Sequence, residues 1–235
     1  QRRFKAAHPR AFHETPRRAA SHCVTIGGRE RQLVDHLLCG ERWQEALIEV
    51  EQRVDDLVSI RDHETLLRWL TTLEVHVASL PLWALHALAW LMIERGLWSD
   101  ARRLLARCHG VLQRQADPAL IERWRPKLYL TRAHLCACRG NVREAVTFCK
   151  RGLDFIRQRQ RSIGPHQGDL DIRVELELAT TLASLKYELG ALEQASLMAR
   201  RALGLAEEVA CLRAQAESTH LLGRVARTRG ELVLG

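Results

Sequence analysis

Gly96-Leu-Trp-Ser-Asp-Ala101, Gly140-Asn-Val-Arg-Glu-Ala145 and Gly190-Ala-Leu-Glu-Gln-Ala195 are three copies of one phrase. Each is a glycine, four residues, and an alanine that opens an apolar helical stripe. A looser copy runs from Gly40 to Ala46, and a further glycine, Gly230, stands near the last residue. From Gly96 onward these glycines recur at intervals of roughly 40–50 residues, a period that signals an array of helical repeats. Counted from each alanine, the stripe continues through Leu104, Phe148 and Met198, then Leu105, Cys149 and Ala199. One turn on come Cys108, Gly152 and Ala202, and after them Leu112, Ile156 and Ala206. These offsets trace one face of an amphipathic helix. Upstream of each glycine, always at the same distance, sits a small residue: Ala89, Ala133, Ala183 and Gly223. Only small side chains let two helices approach closely at that level. The spacing therefore predicts antiparallel helical hairpins, each glycine closing its first helix in the left-handed conformation.

The order small residue, glycine, alanine resembles the tetratricopeptide repeat. That resemblance implies an all-α fold, a right-handed superhelical array of antiparallel helix pairs. The array is expected over residues 29–235, after a basic segment at 1–28. Its intervals exceed the about 34 residues of a standard repeat, which requires longer helices. Helices are expected at 30–39, 43–58, 63–77, 82–95, 98–114, 118–139, 142–160, 170–189, 192–208 and 211–229. Pro81 reads as a first helical residue, Asp117-Pro118 as cap and first residue of the next helix, and Pro126 as a kink within it. The longest break is expected from Arg161 to Gly168, with Asp169 capping the helix after it.

Composition narrows the function classes. Apolar residues make up 46% of 235, yet no long uncharged apolar run exists, so no membrane partner is expected. The chain opens with Gln1 and shows no signal-peptide pattern, which predicts a cytoplasmic location. Seven cysteines without framework spacing read as reduced thiols acting as small hydrophobes. Net charge is +8, carried almost wholly by arginine; outside residues 1–31 and 157–161 the arginines interleave with acids. A nucleic-acid groove needs one basic face with interleaved aromatics, so direct binding of nucleic acid is not expected.

Catalytic signatures are missing as well. There is no P-loop and no nucleophile elbow. His13-Glu14 and His63-Glu64 each lack the following histidine of a zinc protease. His134 and Cys138 share a helix face beside Cys136, but two ligands without a second pair make no zinc site. The chain is read as a non-enzyme with neither metal nor cofactor.

A second resemblance covers about residues 17–235 through order and spacing. Arg17-Arg-Ala-Ala20, Gly27, and Leu33-Val-Asp-His36-Leu-Leu-Cys-Gly40-Glu come first; then Leu66-Leu-Arg-Trp69-Leu, Pro81 and Leu88-Ala-Trp90-Leu lead into Gly96. This resembles the region after the winged helix in MalT-like, ATP-dependent LuxR-family activators. Cys23-Val-Thr-Ile26 departs from the family's Trp-bearing turn, and Gln32 from its usual alanine. The resemblance implies a sensor array that binds a small-molecule effector or a regulatory protein, with control of self-association. It assigns ATP and DNA to other regions, a nucleotide-binding module and a helix-turn-helix. A general tetratricopeptide-like protein–protein scaffold, unconnected with transcription, is the alternative.

The repeat register nominates a binding face. In such arrays the first helix of each pair lines the concave wall. Positions in register across its copies are Trp83, Lys127, Glu177 and Glu217; His86, Leu130, Thr180 and His220; Trp90, His134, Ser184 and Arg224; and Ile93, Ala137, Tyr187 and Arg227. The candidate groove residues are Trp83, His86, Trp90, Lys127, His134, Tyr187, His220 and Arg224. Trp83, His86 and Trp90 share a face. Two indoles and an imidazole suit stacking on a ring or burying a partner's apolar side chain. The same indoles would equally serve by packing into the preceding hairpin.

Overall fold

The computed structural model describes residues 30–163 and 169–231, and within these the chain is helix and turn with no strand. The basic segment 1–28 lies outside the described residues, as do Arg17–Ala20 and Cys23–Ile26; of the break expected from 161 to 168, residues 161–163 are helical and 164–168 lie outside the described residues. The helices are α1 (Glu30–Cys39), α2 (Trp43–Ser59), α3 (His63–His76), α4 (Leu82–Glu94), α5 (Trp98–Gln113), α6 (Pro118–Cys138), α7 (Val142–Ile163), α8 (Asp169–Glu188), α9 (Leu192–Glu208) and α10 (Leu212–Thr228). Their bounds fall within a few residues of the expected ones. The chain divides into two units, residues 1–91 and 92–235.

Among the described residues one turn is used seven times. After α4 the Leu97 amide donates to the Met92 carbonyl at 2.9 Å, the Gly96 amide donates to Ile93, and Gly96 has φ +71°. These two bonds are the Schellman closure, which satisfies carbonyls that a helix end leaves orphaned. Gly140, Gly190 and Gly230 close α6, α8 and α10 in the same way, with φ of 77°, 71° and 73°. So do three residues that are not glycine: Glu41 and Arg61, both at φ 58°, and Ala210 at φ 51°.

The turn also explains the alanine of the phrase. The residue after the left-handed one caps the next helix, and its carbonyl takes the first helical bond. Ala101 donates to Leu97, Ala145 to Asn141 and Ala195 to Ala191, at 2.9 to 3.1 Å. Each alanine is completely buried, and Ala145 shares its core with Ala133 and Cys136 of the helix just left. The looser copy resolves likewise: Glu41, not Gly40, is the left-handed residue, and Ala46 stands at the standard distance beyond it, donating to Arg42.

In the first unit α1 packs on α2 and α3, and α2 on α3. Trp69 of α3 is fully buried there; its indole N–H donates to Asp35 of α1 at 2.7 Å, and Arg68 pairs with the same carboxylate at 3.0 Å. Leu82 begins α4 and its first bond runs from Leu85 to the Pro81 carbonyl, so Pro81 is the cap rather than the first helical residue.

The second unit centres on α8, which packs on α6, α7, α9 and α10, while α6 also meets α5 and α7. Leu130, Ala133 and Cys136 of α6 join Ala145, Cys149 and Leu153 of α7 and Leu178 and Leu182 of α8 in one core. The α8–α9 crossing is made of alanines: Ala179 and Ala183 face Ala199, Ala202 and Ala206. Of the small residues singled out in sequence, Ala89, Ala133 and Ala183 are completely buried, whereas Gly223 is only partly so. Asp117 caps α6, accepting from the Ala119 amide at 2.9 Å, and the helix runs on through the buried Pro126 to Cys138.

Candidate recognition face

In the second unit, α6, α8 and α10 contribute a run of polar side chains that reach solvent. Three cross-helix groupings organise it. Nearest the start of these helices, Lys127 of α6, Glu177 of α8, and Arg213 and Glu217 of α10 act on one another electrostatically. Lys127 sets its ammonium 4.9 Å from the Trp124 ring centroid, and Arg213 pairs with Glu217 at 2.8 Å. Glu177 is exposed, but desolvation raises its carboxyl pKa, with Glu217 adding to the rise and Lys127 and Arg213 opposing it. Its tip meets water while neighbouring helices crowd it, so the charged form is incompletely hydrated.

The middle grouping links α6 to α8. His134 is half-buried and its Nε2 lies 3.1 Å from Thr181 Oγ1. Burial pushes the imidazole below its ordinary value, with Glu94 pulling it back. Near the ends of α8 and α10 stands the third grouping. The Arg224 guanidinium lies over the Tyr187 ring, 4.3 Å from its centroid. The Tyr187 hydroxyl is 3.0 Å from Thr228 Oγ1, and the Thr228 hydroxyl donates to the Arg224 carbonyl at 2.9 Å.

The sequence register thus brings Lys127, His134, Tyr187 and Arg224 onto helices that touch in sequence, with His220 exposed on the same stretch of α10. It is not uniformly open. Leu130, in register with His220, is buried in the core, and so is Ile93. The partners Thr181 and Thr228 and the cation Arg213 are not singled out by the sequence. Thr228, two residues before Gly230, is within reach of the register argument.

The other three candidates belong to the first unit. Trp83, His86 and Trp90 are all half-buried on α4. Trp90 meets His63 of α3 edge-on, centroids 4.9 Å apart, so this indole packs on the preceding hairpin and keeps part of its surface open. A feature unread in sequence lies elsewhere in this unit: Trp43 and His76 stack face to face at 4.1 Å. They border a shallow, open pocket of about 290 Å³ with Arg42, Glu45 and Val77.

Among the described residues no group of three or more His, Cys, Asp or Glu is placed to hold a metal ion. Burial pushes the Cys108 and Cys149 thiols up to about 12, and burial together with Glu144 takes Cys136 to about 11. All three are neutral at physiological pH and unsuited to nucleophilic attack. No helix is long and apolar enough to cross a membrane, among the residues described. Comparison of the sequence with protein-family models and with curated proteins gives no match.

Proposed function

We propose that this chain is the effector-sensing, tetratricopeptide-like repeat region of a MalT-like transcriptional regulator, recognising its ligand on the α6–α8–α10 face. The observation that carries the reading is the set of solvent-reaching polar contacts joining these three helices, His134 to Thr181 and Tyr187 to Thr228 and Arg224. The face offers a ligand hydrogen-bonding groups already held in position across helices. Spanning neighbouring helices, it is placed so that a ligand touching two of them biases their packing. The repeated turn and the contact order of the second unit, in which α7 lies between α6 and α8 and α9 between α8 and α10, support a right-handed superhelical array. In this reading the work is binding, without catalysis or a cofactor of this chain, in the cytoplasm. ATP hydrolysis and DNA contact belong to other regions of such a regulator, and effector binding governs self-association.

A plain protein–protein scaffold is the second reading. It is favoured by the exposed Leu197 and Leu212, 64% and 78% open, which suit burial under a folded partner. A thermal-shift screen of sugars, small aromatics and common metabolites tests the first reading. A saturable shift should vanish in Lys127→Ala, His134→Gln or Tyr187→Ala proteins that keep their fold. A ligand that shifts those variants as it shifts the parent chain would refute the assignment of the face. If Trp83→Ala or Trp90→Ala alone abolished the shift, the ligand would belong on α4.

A further inference from the structure

The third grouping has an unbalanced charge. Arg224 and Arg227 lie one turn apart on α10, and His220 precedes Arg224 by one turn, so the three share a face. Among the described residues neither guanidinium pairs with a carboxylate. The acid on that face of α10, Glu217, is engaged by Arg213. Glu188 follows Tyr187 but points about 100° away around α8. What surrounds the two guanidinium groups is hydroxyl: Tyr187 and Thr228, with Ser184 exposed one turn earlier on α8.

Arg224 is also held in place. Its guanidinium carbon lies 4.3 Å from the centroid of the Tyr187 ring, and the ring is fixed through its hydroxyl to Thr228, which is tied to the Arg224 backbone. A guanidinium carries five N–H donors, so its bond to the Tyr187 hydroxyl leaves others for a ligand, and its fork matches oxyanions in two-point contact. An isolated exposed arginine lacks this preorganisation.

We propose that Tyr187, Arg224, Arg227 and Thr228 form a subsite for a phosphate group, so that the recognised ligand belongs to the phosphate-ester class. Two guanidinium groups match the near-double charge of a phosphate monoester, whereas a carboxylate satisfies only one. Arg224 grips two oxygens with its fork, Arg227 reaches a third, and His220 stands one turn away to contact the rest of the ligand. This inference rests on the reading of α8 and α10 as part of a recognition face.

The test is an NMR titration of the whole chain with phenyl phosphate, inorganic phosphate, benzoate and phenyl glucoside, following phosphorus and backbone amides. The expected result is saturable binding of phenyl phosphate, with amide shifts centred on residues 184–188 and 220–228. Arg224→Gln and Arg227→Gln should each weaken it at least about tenfold. Arg224→Lys should recover only part of that loss, because the ammonium lacks the fork. Inorganic phosphate binding as tightly as the ester would identify free phosphate as the ligand of the same subsite. Phenyl phosphate binding unchanged in both Gln variants, with circular dichroism showing them folded, would overturn the proposal. So would benzoate or phenyl glucoside binding better at the same amides, although the recognition face would then stand. Shifts from none of the four on α6, α8 or α10 would remove the phosphate subsite, and the face would then be judged by the metabolite screen alone.

Discussion

The seven equivalent turns allow one perturbation to be applied with opposite signs. Gly140 has φ +77°, and a methyl group built on it meets no atom within 4 Å. Gly140→Ala therefore introduces backbone strain without a clash. Holding an L-residue in the left-handed region costs about 1–2 kcal/mol. Alanine recovers about 0.4–1 kcal/mol by restricting the unfolded chain. The net destabilisation is about 1 kcal/mol, and Gly96→Ala and Gly190→Ala should match it, since their surroundings are equally open. Ala210 makes the same turn at φ 51° while already carrying the methyl group. Ala210→Gly should then stabilise by a similar amount. Chemical denaturation measures all four, and the slope with denaturant must stay constant for the comparison to hold. The reasoning is refuted if Ala210→Gly destabilises the protein, or if Gly140→Ala is neutral, because either result separates the turn geometry from its energetics.

Gly152 makes the contrasting case. It is buried within α7, and an added methyl would lie 2.8 Å from Leu178 Cδ1 and 3.4 Å from Tyr129 Cβ. Gly152→Ala should destabilise by about 1–2 kcal/mol in a melt despite better helix propensity, through overpacking. For His134 the folded pKa lies below the unfolded value, so from pH 6.5 down to that folded value the unfolded chain binds more protons and stability falls with acid. Glu177, raised above 4.5, works in the opposite direction, so the difference between parent and His134→Gln across pH 7 to 5 isolates the histidine. Iodoacetamide at neutral pH should label the exposed Cys39 and Cys138 by mass spectrometry and spare Cys108 and Cys149 until denaturant is added. Glu175 is buried and bonded to Arg201 and to Gln160, so Glu175→Ala should cost about 1–3 kcal/mol, below a fully buried pair because Arg201 is 31% exposed.

The helices are legible in the sequence because their ends are marked chemically. Gly96, Gly140, Gly190 and Gly230 supply the left-handed residue at no steric cost, and the buried alanine beyond the first three completes the mark. Arg61 and Ala210 adopt the same geometry with no mark, since nothing in an arginine or alanine announces a positive φ. At Glu41 the neighbouring Gly40 draws the expected closure one residue early. Part of the candidate face is legible for a related reason: a constant distance from the turn is a constant position around the helix, which puts Tyr187 and Arg224 in reach of each other. Thr181, the partner of His134, is not legible, because a threonine inside a helix reads as filler until the neighbouring helix is in place. Trp90 shows the same limit, since its contact with His63 joins residues on different helices that no local pattern links.

Glu175 and Glu177 bring the division of labour in α8 into view. Two residues apart, they lie about 200° apart around the helix. Glu175 faces inward and ties α8 to Arg201 of α9 and Gln160 of α7. Glu177 faces the open side with Lys127 and Arg213. Tyr187 belongs to the open side as well, while Ala179 and Ala183 set how closely α9 approaches. The fold therefore places its strict requirements, small side chains and buried pairs, on one side of the helix. The open side is free to vary in charge and shape without loss of packing. A binding specificity written on that side can change while the turns and alanine crossings stay as they are, so it is there that the two unmatched arginines acquire meaning.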